Sequence, residues 1–560
     1  MPTPATSRPD HAHAAETRNT AQVVAATAAR LGAAHLFEVM GGSNMRVVHG
    51  FEEAGATLHH FRHENGAVGA ADGLARATGD VGWSSVVHGP GFTNAITALR
   101  TAVKARSPLV LIMGDATSTP PRNAPFEVGN QGLAPDAILG ELGVVTVRAS
   151  AATAARDTVS AYRAARDGRI PVALVIPHGV ESERSDADIE AAVAELTPLA
   201  APTAPAPAAI AGAEQAIRDA ERIVILAGRG ATDPGTARLL ERLAELTGAH
   251  LATSVKGIGA FEDSPASLGV FGGFTSDEGT AIIHDADCLL AFGVSLNHIQ
   301  TRRSTFLAGA AVVQIDTDPR AFGKYDRADV PVLGDAAAVA RELITRLEAA
   351  PLTPARSLPT APPRMGLTFD DVSAPGQLDP RALAGELDRL LPAERAAVVD
   401  GGHFTVWPIA FMHHPSPESL MWACDFGAMG CGLGPAIGAA VGRTDRQTVL
   451  YIGDCGLFMS LGDLEVAARE RIPLLVVCFN DGAAGSELVL SEIAGLPGDD
   501  AVFGVSDLAR IAAALGTEAA VIASIEDLEP ALRDWTRRGP LLLDCRISRD
   551  VRSPLYAQYT

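Results

Sequence analysis

Two short segments carry the side chains needed to hold a divalent cation against a phosphate. Gly453-Asp454-Cys455-Gly456 follows the apolar run TVLYI, and Asn480-Asp481-Gly482 follows LLVVCF. The 24 residues 456–479 suffice for one helix and one strand, so Asp454 and Asn480 are expected at the carboxyl ends of neighbouring parallel strands. Hard oxygen donors with few carboxylates suit Mg2+, which fills its octahedron with phosphate oxygens and water. A lone Gly-Asp is ordinarily a turn, but a turn does not account for two matched strand ends. Upstream, DGGHFTVW sets Gly401, Gly402 and His403 after another strand end, where His403 has the plainer option of capping the next helix. In the first third, FRHENGAVGAADGLARATG puts Glu64 in the first turn of a helix of small residues, a place the helix macrodipole favours for any carboxylate.

Such residues need parallel strands to position them, and the chain supplies the pattern. Apolar runs bounded by turn residues alternate with helix-period segments throughout, which predicts an α/β fold of three consecutive doubly wound parallel-sheet domains. VGWSSVVHG, SPLVLIMGD and RIPVALVIP are strands of the first; ERIVILAGRG and AAVVQIDTDP of the second; RAAVVDGG, RQTVLYIGD and IPLLVVCFND of the third. The Pro-rich stretches LAAPTAPAPAA and APLTPARSLPTAPPRMG read as connectors. The expected division is a flexible tail at 1–18, domains at 19–188, 210–349 and 378–560, and connectors at 189–209 and 350–377.

A chain of 560 residues exceeds what one hydrophobic core serves. Its net charge of −21 repels nucleic acid and anionic membranes, leaving small-molecule chemistry as the expectation. No apolar run is long enough to span a bilayer, the first residues lack the apolar core of a secretory signal, and the six cysteines form no C-x-x-C pair. A cytoplasmic enzyme is expected.

These motifs, together with Arg-His-Glu before an Ala/Gly-rich helix, GPGFTN at the next strand end and FGAMGCGLGPAIGAA in the third domain, resemble the thiamine-diphosphate enzymes. The resemblance runs from Thr20 onward in the order pyrimidine-binding, middle and diphosphate-binding domain, and is nearest to acetolactate synthase and its carboligase relatives, including benzaldehyde-lyase-like enzymes. It implies thiamine diphosphate and Mg2+ as cofactors. Asp454, Asn480 and the carbonyl of Gly482 would hold the metal; Gly401, Gly402, His403, Gly453, Cys455, Gly456, Ala484 and Gly485 would line the cofactor. Cys455 stands where the family has a glycine. By the same resemblance Glu64 hydrogen-bonds the aminopyrimidine ring and favours the imino tautomer that removes the thiazolium proton. Met429 would prop the coenzyme in a bent shape, and the carbonyl of Gly427 would accept from its amino group.

Gln131 falls where acetolactate synthases and benzaldehyde lyases place an active-site glutamine, and its loop lacks the His-His pair of the pyruvate decarboxylase type. The implied reaction is decarboxylation of pyruvate or a related 2-oxo acid and addition of the resulting nucleophile to a carbonyl acceptor. The alternatives are a 2-oxo acid decarboxylase, a 2-hydroxy ketone or 2-hydroxyacyl lyase, and a catalytically idle coenzyme-binding paralogue. Ala484 replaces a frequent aromatic, Glu38 and Met40 replace glycine and proline, and His88 is unusual, so the acceptor is expected to be larger than pyruvate. The middle domain holds FAD in acetolactate synthases and ADP in acyl-CoA-handling relatives; here only Gly228-Arg229-Gly230 hints at a nucleotide, and GVSLNHIQTRR departs from the flavin-type segment. Relatives build each site between two chains, which implies a homodimer or homotetramer.

Overall fold

A computed structural model describes residues 18–115, 131–199, 201–362 and 368–559; the expected tail, apart from Arg18, lies outside them. Among the described residues eighteen strands form three six-stranded sheets in which every pairing between strands is parallel. The first holds β1 (His35–Glu38), β2 (Thr57–His60), β3 (Gly82–Val86), β4 (Leu109–Asp115), β5 (Val145–Arg148) and β6 (Pro171–Pro177). The second holds β7 (Ile223–Ala227), β8 (His250–Thr253), β9 (Ser267–Val270), β10 (Cys288–Phe292), β11 (Ala311–Asp316) and β12 (Val330–Leu333). The third holds β13 (Ala396–Val399), β14 (Leu420–Trp422), β15 (Thr448–Gly453), β16 (Leu474–Asn480), β17 (Glu518–Ile522) and β18 (Leu541–Arg546). Central strands such as β4 and β16 are buried along their whole length because helices cover both faces, which is why they read as unbroken apolar runs.

The first sheet runs β2-β1-β3-β4-β6-β5 and the third β14-β13-β15-β16-β18-β17, the same order. In each, the chain leaves the first strand to one side and later returns on the other. The carboxyl ends of β1 and β3, and of β13 and β15, are therefore topological switch points, where ligands bind in open parallel sheets.

The chain separates into two compact units, one of residues up to Asp72 with Asp80–Pro198, the other of Gly73–Gly79 with Leu199 onward. The second and third sheets share the second unit, since Ile258, Val270 and Phe274 pack in one apolar cluster with Trp407, Tyr451 and Phe479. The segment expected to open the first connector is instead helical over Ile189–Ala194. Asp188 caps it by accepting from the Ala191 N–H, and Ala192 is buried in the first core. No helix among the described residues is long and apolar enough to cross a membrane.

Candidate active site

At the switch point of the third sheet, the loops after β13, β15 and β16 surround a cavity of about 380 Å³. Its wall brings together Gly401, Gly402 and His403 after β13, Gly427 and Met429 before a buried helix, and Gly453, Asp454, Cys455 and Gly456 at the end of β15 and just beyond it. Ala484 and Gly485 close it from the far side, so every expected cofactor-lining residue of this domain is present. Asp454 opens the helix Asp454–Arg469 and is only 6% exposed.

Burial and the neighbouring Asp481 push the Asp454 carboxyl up to about 7, and burial raises Asp481 and Asp544 as well. Buried carboxylates so placed form a negative well that a divalent cation neutralises. Asn480, fully buried, keeps its side-chain oxygen without a hydrogen-bond partner among the described residues. One carboxylate and one bare amide oxygen beside a diphosphate-sized cavity fit Mg2+, and no group of three or more His, Cys, Asp or Glu side chains suited to a metal stands among the described residues to supply a protein-only shell. Gly482, expected as a further metal oxygen, is committed elsewhere. Its carbonyl accepts from the Phe503 and Gly504 N–H groups, both at 2.9 Å, which uses both lone pairs. Its φ of +67° and the close approach of Gly504 explain why glycine stands there.

Asp400, unremarked in the sequence, holds the Met429 loop in place. Its two oxygens accept from the Gly430 N–H at 2.8 Å and the Cys431 N–H at 3.1 Å. Full burial pushes this carboxyl up to about 6 against the pull of those N–H groups. Gly456 has to lack a side chain, since a Cβ there would lie 2.5 Å from the Asp400 carboxylate. Cys455, in the family's glycine position, donates to the Ala483 carbonyl at 3.5 Å, and burial pushes its thiol up to about 11, so it remains protonated.

His403 is lowered to about 4, by burial first and then by Arg552, and is neutral at physiological pH. Its Nε2 accepts from the Ser553 N–H at 2.9 Å, which leaves its proton on Nδ1 as a donor. The ring stacks on Tyr556, whose hydroxyl bonds Ser486 beside the cavity. These C-terminal residues carry no strand-end signature, so the sequence pattern did not mark them.

In the first unit, Glu64 begins the helix Glu64–Thr78 and is buried. The Asn94 side-chain amide donates to one carboxyl oxygen at 3.0 Å, and the other lies 3.2 Å from where a Gly91 Cβ would stand. The GPGFTN segment thus forms the wall against Glu64. Gln131 is exposed, and its backbone carbonyl packs so closely on Gly89 that a side chain there would collide. Glu64 and Gln131 therefore flank one short segment at the carboxyl end of β3. His88 lies on the same edge with its Nδ1 buried and unpartnered among the described residues; burial and then His178 lower its pKa against the pull of Asp115.

Three family profiles match in sequence: the N-terminal thiamine pyrophosphate binding domain over residues 18–127, the thiamine pyrophosphate enzyme central domain over 210–343, and the C-terminal binding domain over 400–545. The chain is a thiamine pyrophosphate enzyme. It is similar to the acetolactate synthase of Arthrospira platensis, 28% identical over 551 residues and covering 93% of each chain. It is 27% identical over 522 residues to a probable acetolactate synthase large subunit of Methanocaldococcus jannaschii, covering 88% of this chain and 86% of that one. The isozyme 3 large subunit of Escherichia coli is 27% identical over 522 residues, covering 90% and 89%. Among solved structures, a thiamine diphosphate-dependent 4-hydroxybenzoylformate decarboxylase of Rhodococcus jostii shares the fold, with a TM-score of 0.78 at 18% identity over 95% of this chain and 99% of that one.

In this thiamine pyrophosphate enzyme the remaining sequence hints have structural explanations. Gly228 packs against Gly293 where β7 and β10 end, with the Gly293 carbonyl oxygen 2.2 Å from where a Gly228 Cβ would stand, a contact that by itself requires glycine, and Gly230 lies against the same residue. His59 stacks on Phe37 at 4.7 Å, and His60 contacts the buried Glu38 carboxylate. His413 pairs with Glu262 at 2.7 Å, and with His414 it lines a second cavity of about 250 Å³ away from the diphosphate loops.

Proposed function

We propose that the protein is a thiamine-diphosphate- and Mg2+-dependent carboligase of the acetolactate synthase type, which decarboxylates pyruvate or a related 2-oxo acid and joins the product to a carbonyl acceptor. When bound, the coenzyme supplies a nucleophilic carbon and a sink for the electrons left by CO2. Asp454 and the side-chain oxygen of Asn480 would hold the metal, with phosphate and water oxygens completing its shell. His403 would donate its Nδ1 proton to a diphosphate oxygen. Met429, held by the Asp400 clamp, would prop the coenzyme, with the Gly427 carbonyl accepting from its amino group. Glu64 would hydrogen-bond the aminopyrimidine ring. Exposed Phe426, Phe458, Met459, Leu496, Phe503 and Val505 in the diphosphate-binding part favour a homodimer or homotetramer with sites between chains. Six cysteines, none in a disulfide and four of them buried, suit a reducing cytoplasm.

The observation that carries the reaction class is the pairing of Gln131 with the edge that bears Glu64. Glutamine stays neutral, so it orients a carbonyl without releasing a proton, which favours attack on an acceptor over protonation. His88 favours a second reading, since a bare imidazole at that edge suits proton delivery in a 2-oxo acid decarboxylase or a lyase. Protein loaded with coenzyme and Mg2+ is to be given a panel of 2-oxo acids and aldehydes, with CO2 and coupled products measured. Coupled 2-hydroxy ketones or acetohydroxy acids are expected, in a ratio that falls in Gln131→Ala. Free aldehyde alone across the panel, unchanged by Gln131→Ala but lost in His88→Phe, would replace the carboligase reading with the decarboxylase.

A further inference from the structure

Asn480 has to present oxygen to a cation, yet an amide has two ends of nearly equal size, and only its surroundings decide which one faces outward. Both of its N–H groups are engaged: one donates to Asp544 at 2.7 Å, the other to the Ser506 carbonyl at 3.2 Å. Its oxygen is buried and bare among the described residues. Asp544 sits on the adjacent strand β18 and is fully buried. One of its oxygens receives the Asn480 amide. The other receives the Leu508 N–H at 3.0 Å and the Arg546 guanidinium at 2.6 Å. A carboxylate accepts and does not donate, so a turned amide would press its oxygen against Asp544 and Ser506, two acceptors in a dry site.

We propose that Asp544 is a positioning residue that fixes the Asn480 amide with its oxygen toward the metal. The proposal rests on the reading of Asn480 as a metal donor. A partner of this kind, one bond removed from the ion, typically controls metal affinity by 10- to 100-fold. Arg546 holds Asp544 in place through its guanidinium, and the helix Leu508–Ala514 is anchored to the same carboxylate.

The test uses full-length apo-protein with thiamine diphosphate, and reads Mn2+ affinity by electron paramagnetic resonance rather than turnover. Asp544→Asn keeps the shape and removes the constraint, because its own amide can accept or donate. Mn2+ binding weaker by about 10- to 100-fold is expected. Asn480→Asp placed on top of Asp544→Asn should restore binding to within a few-fold, since a carboxylate shows oxygen whichever way it turns. Asp507→Ala removes the N-cap of the same helix, which accepts from the Arg510 N–H at 3.0 Å, and should leave Mn2+ affinity unchanged. Parental affinity in Asp544→Asn overturns the proposal, as does an equal loss in Asp507→Ala, which would assign the effect to the helix. Absence of Mn2+ binding in the parent, matching Asp454→Ala, would overturn the metal site itself.

Discussion

Asp463, in the middle of the helix that Asp454 opens, should make the protein less stable as pH rises. It is 4% exposed, and one carboxyl oxygen is buried without a partner among the described residues. Burial alone pushes its carboxyl from an ordinary 3.8 up to about 7. A folded pKa above the unfolded one means that folding favours the protonated form. The advantage is whole below about 4 and is lost as pH rises through about 7. The distance from 3.8 to about 7, at about 1.36 kcal/mol per tenfold change in proton affinity, gives a penalty of about 4 kcal/mol above pH 7. Asp463→Asn keeps the shape and cannot ionise. Its urea unfolding midpoint should lie close to the parent's at pH 4.5 and well above it at pH 8, by an amount equivalent to about 4 kcal/mol. Equal pH dependence in parent and variant would refute the argument, because the charge would then not be what the fold opposes.

Glu64→Gln should leave coenzyme affinity nearly intact while slowing exchange of the coenzyme C2 proton by about 100-fold or more, read by NMR; exchange at the parental rate would remove Glu64 from that role. Gly456→Ala should destabilise by about 1–3 kcal/mol through overpacking and weaken coenzyme binding, because the Asp400 carboxylate in its way is pinned by the Gly430 and Cys431 N–H groups; a fluorescence-quench titration and an unfolding curve both report it. His403→Phe strands the buried Ser553 N–H, an expected loss of about 1–3 kcal/mol along with weaker coenzyme binding. Because His403 is neutral down to about 4, the parent's coenzyme affinity should show no step from this ring between pH 5.5 and 8.

What was legible from sequence lay in local signals. Strand runs such as LLVVCF and TVLYI are buried on both faces and hence continuously apolar. A Gly-Asp or Asn-Asp-Gly at the end of such a run shows that a loop leaves the sheet there. From these came the three parallel sheets and the placing of Glu64 at the start of its helix, while the gathering of Asp454 with the Gly401-Gly402-His403 loop came from the resemblance to the thiamine-diphosphate enzymes. The sequence also carried the chain order that lets one helix and one strand bring Asp454 and Asn480 to neighbouring strand ends.

What only the tertiary structure decided lies in contacts between residues far apart in the chain. Asp544 meets Asn480 across 64 residues and Asp400 meets Gly430 across 30, with no periodic pattern to announce either. The Gly482 carbonyl is turned away by Phe503 and Gly504, a segment whose return could not be read from composition. The helix at Ile189–Ala194 forms where a connector was expected because a buried core exists to receive Ala192. In the same way Asp463 reads as one more helix carboxylate until packing encloses it. Local sequence specifies which strand ends bear chemistry, whereas the direction of each amide, carbonyl and carboxylate is set by which distant groups the folded chain brings within hydrogen-bond reach.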